Sequence, residues 1–181
     1  MSMAELKKLV APPPKPLEVG TLAQWRELED QLGTRLPRDY REFVFTYGTG
    51  LFAGLYRVYN PFAASEYIAL IPQSKRVCDY NREAQLASPE RFPYPYYPKS
   101  GGLLPWGNDE NGNDYFWLTE GPPSKWIVVQ DENRGEGIRV QLYSMTGFLL
   151  GILQRKIKPL ASGYPRKSVF KFEQWDTSAD G

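Results

Sequence analysis

The stretch LLPWGNDENGNDYFWL, residues 103–118, decides how the rest of the chain is read. Acids, amides and glycines sit between two tryptophan-bearing apolar flanks. As a calcium loop it fails on position. An EF-hand places oxygen ligands at positions 1, 3, 5 and 12 around a glycine at 6. With Gly112 in that place, Asp109 and Asn111 fit, but the first ligand becomes Gly107 and the bidentate glutamate becomes Leu118. As an acid–base centre, Asp109, Glu110 and Asp114 would need a dry cleft that raises at least one pKa. Carboxylates inside one polar, glycine-containing turn are expected to be solvated. The third reading is a connection between strands: Asn111-Gly112 is a strong two-residue hairpin signal, and both flanks are apolar.

Working outward, DYFWLT, KWIVVQD and IRVQLYS are rich in aromatic and β-branched residues and are bounded by turn residues, which predicts three strands in an antiparallel meander. SMTGFLLGILQRKI then reads as a helix with Phe148, Leu149, Ile152 and Leu153 inward. Upstream, residues 4–10 predict a short helix and PPPKP a stiff extended lead-in. Thr21 with Gln24 matches a capping box, followed by Leu22, Trp25, Leu28 and Leu32 on one helical face. LPRDYREFVFTYGTG predicts a second helix with Tyr40, Phe43, Val44 and Tyr47 on its apolar stripe; Gly48 closes it and Gly50 is expected to keep the loop pliant. LYRVYN alternates as a strand. Residues 64–86 carry a helical pattern restarted at Pro72, with Val77, Tyr80 and Ala84 inward. SPERFPYPYYPKSGG is an extended connection held by packing, and SVFKFEQW a short strand. The fold class is α+β: a single domain with a mostly antiparallel sheet, packed with N-terminal, middle and C-terminal helices.

Composition narrows the function. The 181 residues hold no histidine and a single cysteine, Cys78, with a net charge of +1. Without histidine there is no Ser-His-Asp or Cys-His arrangement and no histidine-ligated zinc. Cys78 has no internal disulfide partner, which predicts a reducing compartment and a structural thiol. The N-terminus lacks the apolar core of a signal peptide, and GFLLGIL is too short to span a bilayer. The expectation is a cytoplasmic protein that needs no cofactor, has no membrane partner and is not an enzyme.

The motif order then carries a resemblance. Trp25, Glu29, Leu32 and Gly33 are followed by Leu36, Pro37, Asp39 and Tyr40, and by Tyr47, Gly48 and Gly50. Further on come LLPWG at 103–107, Asn111 and Gly112, Phe116 and Trp117, and Gly121, Pro123 and Trp126. Together these resemble the SUKH superfamily, in particular its Smi/Knr-type domains. The resemblance covers residues 17–159 and implies a protein-binding module with an α+β fold and no catalytic residues. Bacterial members are commonly immunity proteins that neutralise secreted polymorphic toxins, often nucleases; fungal members are scaffold-like regulators of cell-wall synthesis. The expected organisation is a lead-in over 1–16, the SUKH domain over 17–160, and a tail over 161–181 packed on or extending it.

Charge is unevenly laid out. Residues 108–136 carry Asp109, Glu110, Asp114, Glu120, Asp131, Glu132 and Glu136 against Lys125 and Arg134; residues 137–172 carry seven bases and no acid. One reading is two solvated faces that attract one another. The other is an acidic hairpin that meets a basic partner. The basic stretch has no nucleic-acid motif, so a nucleic-acid partner is not expected. The expected partner is a protein, a toxin domain with a basic nuclease as the leading candidate, or else the target of a regulatory scaffold. The expected contact residues are Trp106 as an exposed anchor, Asn108, Asp109, Glu110, Asn113 and Asp114 on the hairpin, and Tyr47 and Thr49 at the glycine-rich loop.

Overall fold

A computed structural model describes residues 2–132, 137–160 and 163–180. Arg134 and Glu136 of the charge layout, and Ala161 at the start of the tail, lie outside the described residues. The chain's organising feature is a seven-stranded sheet in which all neighbours are antiparallel, in the order β6-β5-β4-β3-β2-β1-β7. The strands are β1 (Gly50–Phe52), β2 (Tyr56–Val58), β3 (Leu103–Asp109), β4 (Asp114–Leu118), β5 (Ile127–Glu132), β6 (Gly137–Gln141) and β7 (Phe172–Gln174). Strands β1 to β6 form a meander, each lying beside the next in sequence, and β7 returns to the β1 edge.

Among the described residues five α-helices cover the two faces: α1 (Ser2–Leu9), α2 (Leu22–Leu32), α3 (Arg38–Tyr47), α4 (Leu70–Ala87) and α5 (Met145–Leu153). Side chains alternate across a strand, so each face carries its own core. Trp106, Tyr115, Trp117 and Val128 face α1, α2, α3 and α5 in the larger core. Leu103, Phe116 and Val129 face Val77 and Cys78 of α4 in the smaller one.

Local chemistry explains several boundaries. The Gln24 N–H donates to Thr21 Oγ1 at 3.3 Å and the Thr21 N–H to Gln24 Oε1 at 2.8 Å, a reciprocal capping box. Gly33 ends α2 at φ +70°, in the left-handed region. Phe148, Leu149, Ile152 and Leu153 are all buried, as the periodicity of α5 predicts.

Three expectations are corrected. Residues 64–69 are not helical: α4 begins at Leu70, and Pro72 sits in its first turn, where its missing N–H leaves no bond unmade. Tyr80 and Leu22 face solvent, 66% and 65% exposed. Tyr80 is turned outward because Val77, Cys78 and Asn81 form the inward stripe of α4. Gly50 is no pliant loop but the start of β1; a Cβ there would lie 2.2 Å from the Glu173 carbonyl oxygen of β7, so close strand approach selects the glycine.

Candidate protein-contact site

The stretch read first forms the β3–β4 hairpin. Its turn is longer than a two-residue loop. The Gly112 N–H donates to the Asp109 carbonyl at 3.0 Å, Gly112 takes φ +81°, and the Asp109 N–H donates to the Asn113 carbonyl at 3.0 Å. This is a three-residue loop closed by a glycine at positive φ. The Asp109 carboxylate holds it together. Oδ1 accepts from the Asn111 N–H at 2.9 Å and the Asn113 N–H at 3.0 Å; Oδ2 accepts from Asn113 Nδ2 and the Tyr115 hydroxyl, both at 2.9 Å. With four donors on two oxygens and Asp109 buried, this carboxylate is neither a cation ligand nor a general base.

The hairpin therefore does not present its acids as expected. Asp109, Asn113 and Asp114 are buried. Asp114 pairs across the ladder with Asp131 of β5, beneath α4. Trp106 is also inside. The β3–β4 register shifts between Pro105 and Gly107, and Trp106 shares the face of Leu104, which places the indole in the larger core against Tyr115, Trp117 and Phe148. An exposed anchor at Trp106 is thus corrected to a core side chain. Tyr47 and Thr49 are corrected likewise. The Tyr47 hydroxyl donates to the Val10 carbonyl at 2.8 Å, and Thr49 Oγ1 accepts from Asn60 Nδ2 at 2.7 Å; both residues are fully buried.

Two of the expected residues reach the surface. Asn108 is half-buried, and the Glu110 side chain is 44% exposed. Both hold Arg57 of β2: its Nη1 donates to Asn108 Oδ1 at 3.2 Å and to the Asp109 carbonyl at 3.4 Å, and its Nη2 pairs with the Glu110 carboxylate. Arg57 and Asn108 line one wall of a cleft of about 590 Å³, whose other wall is Glu66, Tyr67, Pro72, Gln73 and Arg76. Gln73 Oε1 accepts from Arg76 Nη2 at 2.7 Å and from its Nε at 3.1 Å, while Gln73 Nε2 donates to the Glu66 carbonyl at 2.8 Å. The Tyr67 ring stands on the rim, 80% exposed.

Arg57, Tyr67 and Arg76 were absent from the sequence-based set. The sequence places Tyr67 inside a helical pattern over residues 64–86, whereas it lies in the loop before α4. The cleft itself forms from β2, β3 and the start of α4, a juxtaposition that no local pattern encodes.

Two other groups bear on chemistry. Cys78 is buried, and desolvation pushes its thiol up to about 12, far from a nucleophilic thiolate. Asp131 is fully buried, and neither carboxylate oxygen has a hydrogen-bond partner among the described residues. Burial raises its pKa, opposed by the positive charge of Arg91. Its electrostatic neighbours include Arg91 and Tyr96, in the segment that follows α4.

These features define a class: an α+β domain whose hairpin turn is braced internally and whose polar, aromatic-rimmed cleft lies beside it. The SUKH_6 family model, described as SMI1-KNR4 cell-wall, matches residues 22–148. The chain belongs to the SUKH (SMI1-KNR4) family, whose domains are generally protein-binding modules. No curated protein and no solved structure matches it. Among the described residues, no helix is long and apolar enough to cross a membrane.

Proposed function

We propose that this chain is a non-enzymatic immunity protein that neutralises a toxin domain by stoichiometric occlusion. Membership of the SUKH family supports the binding role, and the immunity role common among its bacterial members supports the toxin. The observation that carries the contact surface is Tyr67, 80% exposed on the rim of the Arg57–Arg76 cleft. Tyrosine and arginine are enriched among residues that dominate interface energetics. Arg57 is already oriented by Asn108, the Asp109 carbonyl and Glu110, so binding loses less side-chain freedom there. Asn108 and Glu110 thus remain contact residues. Trp106, Asp109, Asn113, Asp114, Tyr47 and Thr49 act from inside, by fixing the hairpin and the loop that shape the surface. With Asp109 and Asp114 turned inward, occlusion rests on shape and on the Tyr67 anchor rather than on an acidic face, so the toxin need not be a basic nuclease.

The test is co-expression with the toxin encoded beside the gene, followed by calorimetric titration of the purified pair. Tyr67→Ala is expected to weaken binding by about 2 kcal/mol, roughly thirtyfold. Unchanged affinity in that variant removes the cleft from the reading. A neighbouring toxin that the chain neither binds nor neutralises removes immunity itself. The second reading, a regulatory scaffold with no toxin, is favoured by the cell-wall description of the matching family and is the one left standing in that case.

A further inference from the structure

The basic segment that stood out in the sequence meets the N-terminal helix in space. The end of α5 and residues 167–170 converge on α1 around a cleft of about 1080 Å³, lined by Glu5, Lys8, Leu9, Leu153, Gln154, Arg155, Lys156, Lys167 and Phe170. Lys8, Arg155, Lys156 and Lys167 are exposed. Among the described residues, none of these four has a carboxylate within ion-pair distance. The lining holds one acid, Glu5, whose Oε2 accepts from Gln154 Nε2 at 3.0 Å; it offsets one of the four cations and leaves the lining strongly positive. Four cations therefore surround one cleft in a chain whose net charge is only +1.

Chance solvation of surface lysines does not account for Arg155. It sits at φ +59°, just past the end of α5, where the Lys156 N–H donates back to the Gly151 carbonyl at 2.8 Å. That backbone position favours glycine, because a Cβ there crowds the following carbonyl. An arginine held in this conformation points to a use for its side chain. The negative end of the α5 dipole attracts Arg155 and Lys156. The end of α1 favours Lys8 in the same way, but neither helix end explains Lys167 in the distant tail.

We propose that this cleft docks an acidic, aliphatic-bearing segment of a protein partner. The cations set the charge of the occupant. The apolar lining sets its kind: Leu9 is exposed and offers aliphatic surface for side chains, with the buried Leu153 behind it. Single-stranded nucleic acid requires open aromatic faces for base stacking. Here one face of the nearby Tyr164 ring is taken by the Arg155 guanidinium, 5.5 Å from its centroid, and Phe170 is half-buried. Helices α1 and α5 pack on the sheet face opposite α4, so this surface is separate from the Tyr67 cleft and the two readings fail separately.

The experiment uses the full chain and fluorescence anisotropy with three labelled probes: a peptide of alternating glutamate and leucine, a glutamate–serine peptide of the same charge, and an oligothymidylate of matched charge. The glutamate–leucine peptide is expected to bind saturably, more tightly than either other probe, and more weakly as salt rises. Lys156→Glu combined with Lys167→Glu should weaken it about tenfold or more, and Lys8→Glu alone should also weaken it. Leu9→Ser should remove its advantage over the glutamate–serine peptide. Tyr67→Ala should leave all three unchanged. Circular dichroism of each variant confirms that it folds. The proposal is overturned by an absence of saturable peptide binding, by indifference to the charge reversals, or by tighter binding of the oligothymidylate.

Discussion

Asp109 shows how a residue's type can be read while its direction is not. Its place in a polar turn is plain from the sequence; its four donors come from the turn's own backbone, from Asn113 and from Tyr115, and become visible once the loop closes. Bonds to a buried charge contribute more than neutral ones, and removing the shared acceptor strands all four donors. Asp109→Ala is expected to lower unfolding stability by about 3–5 kcal/mol in urea titration. Glu110→Ala, one position on and exposed, should change it by less than about 1 kcal/mol. Equal effects would contradict the internal role of Asp109. Asp131 is the converse case, a buried carboxylate with no hydrogen-bond partner among the described residues. Its folded pKa lies above the unfolded one, so the folded state holds the proton more tightly. Stability from this group is therefore fullest below the ordinary carboxylate value and falls as pH rises to the folded pKa. Asp131→Asn should raise stability at neutral pH, by about 1–3 kcal/mol, and flatten that slope. A variant equally stable, with the same pH profile, would refute this.

At the scale of elements, periodicity succeeds where a stripe is long. Trp25 and Leu28, then Tyr40, Phe43, Val44 and Tyr47, are buried as their spacing predicts. It fails where three residues suffice: β1 has too few side chains to show alternation, and Gly50 reads as a loop. Trp106 was expected outside because it lies beside the turn, yet it shares the inward face of Leu104, two residues before it, and a helix-covered sheet leaves that face no exposure. Junctions between elements leave even less local trace. Asp39, which suits the start of α3 by charge alone, also bonds across the fold: its Oδ2 accepts from the Thr146 N–H at 2.9 Å and the Thr146 hydroxyl at 3.0 Å, capping α5 from another helix. Asp39→Ala is expected to cost about 2 kcal/mol, measured by chemical denaturation, because a partly buried charged acceptor is lost from two helix termini. Thr21→Ala, which breaks a local and exposed capping box, should cost only about 1 kcal/mol.

For the whole molecule, the tail decides how the sheet ends. Strand β7 pairs with β1 through Gly50–Gln174, Leu51–Glu173 and Phe52–Phe172. Phe172 packs on Tyr47 at 5.2 Å between ring centroids, and the Trp175 N–H donates to the Thr49 carbonyl at 2.9 Å. Further on, the buried Thr177 hydroxyl oxygen accepts from the Ala64 N–H at 2.9 Å and the Ser65 N–H at 3.1 Å, and bonds Glu18 Oε1 at 2.5 Å. The tail thus clasps the loop before α4 and the lead-in to α2 in one step. Deleting residues 164–181 would open the β1 edge, a row of unpaired backbone groups beside Leu51 and Phe52. The expected outcome is a loss of about 2–4 kcal/mol, from several backbone bonds and the Thr177 cluster, together with concentration-dependent association in size-exclusion chromatography. Because the Tyr67 rim follows the loop that Thr177 holds, the truncated chain should also bind its partner more weakly than its residual folded fraction accounts for. A truncated protein that stays monomeric, with an unchanged melting temperature and full affinity, would show that the tail is an appendage and that the sheet is complete at β1.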